Sequence, residues 1–431
     1  MTTTVQADQA PAAATPEDQA QITRLMIYFG VVYAVEGIGQ TAGIISQPIN
    51  YYLKEVHAWT PVQVTAFLTV FNLPWIIKPI YGLISDFVPL FGYRRKTYLI
   101  LANVLATGAY LWAARSEAPS HLLLALLLTA YAMAISSTLC GALLVENGQR
   151  FGTSGAFVNQ QWLWFNISFM VALLIGGQLI QHLSPTSALH SAALIGAIAP
   201  LSVVICTWYL VAEDKRPVNL PELKVAFRGL LNTFKSRTIW IVGTFLFLYY
   251  FSPGFATPLY YHMTDTLQFS QGYIGILGAI NAAGSIVAAL LYRRYLTDMT
   301  SKRLLQLSIV LGTLASASYL LLFDQVTAAI LNFCTGFAVM IALVATLTLA
   351  ADYCPKNSEG FTFAALMSIT NLAGAVSDNV GAFLYEGVFA SRLTPLILVS
   401  TAFTAFAWVL IPLLRLGDKP HGQAAAQAPP H

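Results

Sequence analysis

Apolar residues in this chain come in blocks of about 20, the length a helix needs to cross hydrocarbon, separated by short polar interruptions. Twelve such blocks predict helices at roughly 24–53, 60–85, 97–114, 121–146, 155–182, 187–212, 238–264, 271–296, 302–322, 325–351, 361–388 and 394–415. They take up most of the chain and leave no stretch large enough for a separate soluble domain. The expected fold is all-α, a polytopic membrane protein with twelve transmembrane helices. Residues 1–21 and 417–431 are polar, low in complexity and expected to be disordered tails. The first tail has no basic start and no apolar core, which excludes a cleaved signal peptide, and Asp8, Glu17 and Asp18 argue against an organellar transit sequence.

The longest polar interruption, 213–237, divides the helical region into a first half (22–212) and a second half (238–416). Residues on either side match in order at a nearly constant offset. Pro48 is echoed by Pro258 (210 residues on), Arg95 by Lys302 (207), Glu146 by Asp352 (206) and Gly155 by Gly360 (205). Chance matches among similar apolar helices are the competing explanation. The shared order predicts two parallel six-helix repeats.

Charge distribution sets the expected orientation. With the N-terminus inside, the inner segments hold 18 basic residues and the outer ones three, Lys54, Arg115 and Arg392. The positive-inside rule then places both termini in the cytoplasm, and the short N-terminal segment fits a bacterial plasma membrane. Composition narrows the function further. The chain is 57% hydrophobic and 10% charged, against about 25% charged residues in globular proteins, which excludes a soluble enzyme and a nucleic-acid binder. Cys140, Cys206, Cys334 and Cys354 lack the spacing of a zinc site and show no pairing in an outer loop. No catalytic, nucleotide-binding or metalloprotease motif is present, so neither enzyme chemistry nor a metal or other cofactor is expected.

Charges inside apolar helices are costly and are the candidates for function. Glu36 lies near the middle of the first predicted helix, flanked by Gly37, Gly39 and Gly43, with Gln40 one turn along. It could take up a proton or meet a cationic group, or it could be a neutral packing residue. Lys78 stands between Pro74 and Pro79, which deprive the backbone of hydrogen bonds and predict a kink in the second helix. It could hold an anionic solute, or balance Glu36 or Asp378 as a structural ion pair. Asp378 lies deep in the eleventh helix, two turns after Asn371 on the same face; it could line the pathway from the second repeat, or sit near the outer wall of a water-filled vestibule. Tyr249 and Tyr250 precede Pro253, Gly254 and Pro258, which predict a broken seventh helix. Aromatic rings there suit a planar ligand, although apolar packing is the commoner use. Asn72 in the second helix and Gln161, in an amide cluster opening the fifth, complete the polar candidates.

The stretch LPWIIKPIYGLISDFVPLFGYRRKTYL resembles the folate–biopterin transporter family, a branch of the major facilitator superfamily. The superfamily's loop motif corresponds here to Gly82, Asp86, Gly92, Arg94, Arg95 and Lys96, with a longer Asp-to-Gly spacing. The stretch LAADYCPKNSEGFTFAALMSITNLAGAVSDNVGA is similar to the family's tenth-to-eleventh helix region, and FLFLYYFSPGFATPLYYHMTDTLQFSQGYIGILG resembles its seventh and eighth helices more loosely. The family pattern carries two aspartates in the fourth helix before a terminal Val-Glu. Here Glu146 is kept, but Ser137 and Gly141 stand at the aspartate positions, which puts the substrate rather than the fold in question.

The resemblance implies a major-facilitator-type secondary transporter that moves a small organic solute, a folate or pterin-like anion, by alternating access with a coupling proton, as a monomer in the bilayer. Lys78 would answer the solute's negative group, Tyr249 or Tyr250 its ring, and Glu36 or Asp378 would couple the proton. Ion pairs among Asp86, Arg94, Arg95, Lys96 and Glu146, and of Lys302 or Arg303 with Asp352, would gate the inner side, unless those basic residues serve only to fix topology. The alternatives are a same-fold carrier of an amino acid derivative, sugar or siderophore, and a non-transporting membrane receptor or scaffold.

Overall fold

A computed structural model describes residues 15–217, 236–296, 299–353 and 359–414. Twelve helical passages run up and down through it. Several are started by local chemistry that satisfies the free N–H groups of a first turn. Thr60 and Gln63 form a capping box ahead of Pro61, while Ser184, Ser270 and Thr300 cap the sixth, eighth and ninth passages. The fourth passage, Pro119–Phe151, ends on Gly152, whose φ of 65° is the left-handed geometry glycine adopts without strain. Among the described residues, nine helices are long and apolar enough to span hydrocarbon. The third passage (Lys96–Ala113), the broken seventh and the amide-bearing eleventh (Glu359–Phe383) fall outside that set. The first helix begins at Pro16, with Thr15 and Asp18 in a capping box, so it reaches back into the stretch expected to be a tail. The 417–431 tail lies outside the described residues.

Three passages are broken, each with an explanation for its freed backbone groups. The seventh consists of Arg237–Tyr250 and Ala256–Tyr261, broken where Pro253 and Gly254 predict it. There Gly254 donates its N–H to the Ser377 carbonyl of the eleventh passage at 2.9 Å, and the Ser377 hydroxyl donates back to the Ser252 carbonyl. A Cβ at Gly381 would sit 1.8 Å from the Gly254 carbonyl oxygen, so only glycine lets these two backbones meet. The second passage changes helix at Ile77, between Pro61–Ile76 and Lys78–Phe87. Because Pro79 has no N–H to offer the Trp75 carbonyl, the Asn371 side-chain amide supplies one from the eleventh passage at 3.0 Å.

The first passage, expected as one helix over 24–53, is instead Pro16–Gly39 followed by Ser46–Glu55. The Gly43 N–H turns to the Gln40 carbonyl, and the Tyr110 hydroxyl satisfies the carbonyl of Gly39 at 2.7 Å. Nothing in the local apolar pattern marks this break. It sits where the seventh passage is broken in the second half, just before the matching prolines Pro48 and Pro258.

The two halves share one core at one end and keep separate cores at the other. At the end holding residues 44–68 and 255–280, a single apolar cluster contains Ile49, Phe67 and Leu122 of the first half together with Leu259, Ile274 and Leu393 of the second. At the opposite end Leu99, Leu139 and Phe157 pack within the first half, and Leu246, Leu304 and Ile341 within the second. Polar contacts follow the same division. Lys54 pairs with Asp265, the Tyr261 hydroxyl donates to the Trp59 carbonyl at 2.5 Å, and the Val62 N–H donates to Glu386 at 2.6 Å. Gln47 donates to the Gln271 carbonyl at 2.8 Å, and the Gly272 N–H donates to Gln181 at 3.0 Å. A Cβ at Gly177 would lie 2.8 Å from the Gly275 Cα, so the fifth and eighth passages touch backbone to backbone. The halves are thus sealed together at this end.

At the other end, charges organise the first half alone. Arg95, 3% exposed, donates from Nη2 to Asp86 at 3.0 Å and to Glu146 at 2.7 Å, joining the second, third and fourth passages. Arg94 lies 3.6 Å from Glu146. Glu213, just past the sixth passage, accepts from the N–H groups of Arg94, Arg95 and Lys96 at 2.8–3.2 Å. Its carboxylate therefore sits at the positive N-terminus of the third passage. Lys96 in turn donates to the carbonyls of Trp208 and Val211.

Two outcomes are expected. Arg95→Ala leaves Asp86 without its partner and Glu146 with only Arg94 at 3.6 Å, and should cost about 2–3 kcal/mol of stability, read as a lowered thermal unfolding midpoint in detergent, with Arg95→Lys recovering only part because its ammonium lacks the broad planar head that reaches both acids. In a background lacking native cysteines, a cysteine at Thr257 should resist a membrane-impermeant maleimide added from the sealed end. Asp265→Lys should raise that labelling several-fold by setting two cations against each other; equal labelling in both would show that the Lys54–Asp265 contact closes nothing.

Candidate functional site

Between the halves lies a cavity of about 470 Å³. The second passage contributes Thr65, Thr69, Asn72 and Trp75, residues three or four apart that share one helix face. The eleventh contributes Thr370, Asn371, Gly374 and Asp378 on a similar stripe, and the broken passages add Gln40, Thr41, Tyr250 and Thr257. Breaking those helices brings backbone and side-chain polar groups to the middle of an apolar bundle, where a straight helix would present only side chains.

Most of these groups already have partners. Thr41 donates to Asn72 Oδ1 at 2.5 Å, and Asn72 donates to the Leu68 carbonyl. Asn379 crosses from the eleventh passage to Thr69 Oγ1 at 2.6 Å, and Tyr250 shares a 2.9 Å hydrogen bond with Thr346. Asp378 differs. It is exposed, lines the cavity and has no hydrogen-bond or ion-pair partner among the described residues. One carboxylate oxygen rests against the Gly254 backbone, where a Cβ would lie 2.2 Å from it. Of the residues lining the cavity, Asp378 alone carries a formal charge.

Glu36 and Lys78 form a second polar group, half-buried inside the first half behind Trp75. Lys78 donates to the Ser137 hydroxyl at 3.1 Å, and Ser137 donates to Glu36 Oε1 at 2.8 Å. The two charges are therefore joined through a hydroxyl rather than in direct contact. Glu36 Oε2 is buried with no partner among the described residues, while the nearby Tyr33 hydroxyl lies against the Cys140 thiol. The Lys78 ammonium also lies 4.4 Å from the centre of the Trp75 ring, a cation–π contact. Trp75 thus has Lys78 on its ring and is itself part of the cavity wall.

Of the candidates read from the sequence, Gln40, Asn72, Tyr250, Asn371 and Asp378 meet at the cavity, while Glu36 and Lys78 meet each other beside it. Tyr249 turns away, donating to Ser308 at 2.8 Å within the second half. Gln161 does not line the cavity, and its neighbour Gln160 donates to the Met26 carbonyl, a contact between passages. In the loop motif Asp86, Arg95 and Glu146 come together, Arg94 and Lys96 flank them, and Gly82 packs near Thr138. Lys302 and Arg303 open the ninth passage; the side chain of Asp352 lies outside the described residues.

Thr65, Thr69 and Trp75 of the cavity went unread, although their spacing with Asn72 is a legible stripe. Lys54, Asp265, Glu386 and Glu213 also went unread, because single charges at helix ends carry no mark of which distant group they will meet.

The architecture is that of solved transporters of the major facilitator type. A nucleoside transporter, NupG, superposes with a TM-score of 0.67 over 92% of this chain and 98% of its own, at 16% identity. A D-xylose–proton symporter gives a TM-score of 0.68 over 91% and 97%, at 14% identity. By sequence, the folate-biopterin transporter of Synechocystis sp. is 27% identical over 410 residues, covering 90% of this chain and 81% of that one. Folate transporter 1 of Plasmodium falciparum is 23% identical over 383 residues, covering 84% and 72%. The BT1 family model matches residues 38–416, nearly all of the helical region, and with the broken passages, the loop cluster and the central cavity in place, the chain belongs to the BT1 family.

Proposed function

We propose that the protein is a secondary active transporter that carries a small organic solute of the folate or pterin class across a plasma membrane by alternating access, coupled to a proton. The observation that carries this reading is the polar cavity between two halves that share a sealed apolar core at one end and keep separate cores at the other. A site at the seam of two repeats becomes accessible from the other side when one half rocks against the other. The names of the relatives support the solute class. The excess of basic residues at the unsealed end supports placing that end, with both termini, in the cytoplasm.

The Glu36–Ser137–Lys78 chain is the coupling element in this reading. Ser137 can pass on a proton because it accepts from one neighbour while donating to the other. Protonating Glu36 weakens its hold on the Ser137 hydroxyl, which leaves Lys78 free to shift against Trp75, a residue of the cavity wall. Charge state in the first half is thereby read at the solute site. In this reading the ion pairs of Arg95 with Asp86 and Glu146 hold the inner side of the first half packed in one state and break in the other, the gating role expected of them from the sequence.

Uptake into proteoliposomes tests this directly. For one proton per solute, an inward gradient of one pH unit should support about tenfold accumulation of a labelled folate or biopterin, since one unit is worth about 1.4 kcal/mol. Glu36→Gln should abolish the accumulation while leaving downhill exchange. Ser137→Ala, which removes the bridging hydroxyl, should lower gradient-driven uptake by about an order of magnitude, the size of one lost hydrogen bond to a charged group. Uptake that ignores the gradient and survives Glu36→Gln would sink the coupling assignment, and failure to take up either solute would sink the solute class.

A further inference from the structure

The charge pattern of the cavity constrains its solute more narrowly than the family resemblance does, given that the cavity is the transport site. Lys78, the group expected to meet a negative solute, does not line the cavity. It is committed to the Ser137 hydroxyl and to the Trp75 ring. Arg94, Arg95 and Lys96 belong to the loop cluster at one end of the first half, bound to Glu146, Asp86 and backbone carbonyls. Among the described residues the cavity wall therefore contains no cation, and its one charge is the carboxylate of Asp378.

A carboxylate-bearing solute entering this space would meet a like charge with no counter-ion among the lining residues. Transferring it from water into such a site is unfavourable on both the desolvation and the Coulombic account. A donor-rich solute meets the reverse situation. Asp378 is an acceptor with two in-plane oxygens and no partner. Two parallel N–H groups on a planar ring match that fork as a guanidinium does. The remaining lining groups, the threonine hydroxyls, the Asn72 and Asn371 amides, and the Tyr250 and Trp75 rings, complement a flat polar heterocycle without adding charge.

We propose that the cavity selects a planar heterocycle that is neutral or cationic, presents two adjacent N–H donors to Asp378, and carries no carboxylate. A free pteridine with an amino group beside a ring N–H satisfies this; the same ring extended by a glutamate does not. Asp378 is the residue that determines specificity, and Gly254 holds it in place by leaving room for its oxygen.

Ligand-induced thermal stabilisation and equilibrium binding on the purified full chain test the assignment, with three probes. They are 2-amino-4-hydroxypteridine, its 2,4-dioxo analogue lacking the amino group, and pteroylglutamate. The aminopteridine should bind at least tenfold more tightly than either of the others. Asp378→Asn, close to isosteric, should cut its affinity at least tenfold while leaving the unliganded melting temperature near that of the parent; Asp378→Glu should retain part of the binding. Tightest binding by pteroylglutamate, or aminopteridine affinity unchanged in Asp378→Asn, would overturn this inference and leave the transport reading in place. Binding of none of the three by the parent chain would overturn both.

Discussion

The arrangement rests on one constraint: a backbone N–H or C=O released inside a bilayer must find a partner within the protein, because no water is there to receive it. Proline and glycine release such groups in the second and seventh passages, and the eleventh receives them. Asn371 takes the carbonyl that Pro79 leaves open, and Ser377 receives the N–H of Gly254 while donating to Ser252. One helix thereby fixes the geometry of two broken neighbours, one in each half. Asp378, next to Ser377 in sequence, is carried into the cavity as part of the same arrangement.

The contact between Asn371 and Trp75 has a second side. It joins the halves near the middle of the bundle, away from the sealed end, and it does so through a backbone group that exists only because the helix is interrupted. A hydrogen bond of this kind is directional, and it can be exchanged at little net cost only where the Trp75 carbonyl gains another donor from the cavity. The apolar cluster at the sealed end is non-directional and is lost only by separating surfaces. Two kinds of contact, one switchable and one cumulative, thus hold the halves at different depths.

Much of the fold was legible in the sequence because bilayer thickness and helix rise fix the length of an apolar block. The break in the seventh passage and the kink at Ile77 were legible for a different reason, since Pro253, Pro74 and Pro79 act on their own backbone. The break after Gly39 was not, because it depends on the Tyr110 hydroxyl of another passage. Site residues divide in the same way. Asp378 and Glu36 stand out as charges in apolar surroundings, but whether Tyr249 or Tyr250 faces the cavity turns on a rotation of about 100° between neighbours on a helix. Lys78 shows the limit most clearly. Its charge was visible, while its partners Ser137 and Trp75 were chosen by packing between the second and fourth passages and by the kink beside it.

An unpaired carboxylate in a carrier's central cavity also has an electrical consequence. A charge that changes its access from one side of a membrane to the other experiences the transmembrane potential, worth about 2.3 kcal/mol per elementary charge per 100 mV if the whole field is crossed. If the proposed alternating-access cycle runs with Asp378 ionised and nothing bound, the returning empty carrier would move a negative charge through part of that field, and its rate would depend on voltage. A neutral solute carried together with the coupled proton cancels the charge and would make the loaded step electrically silent. The membrane potential then acts on the half of the cycle in which nothing is carried.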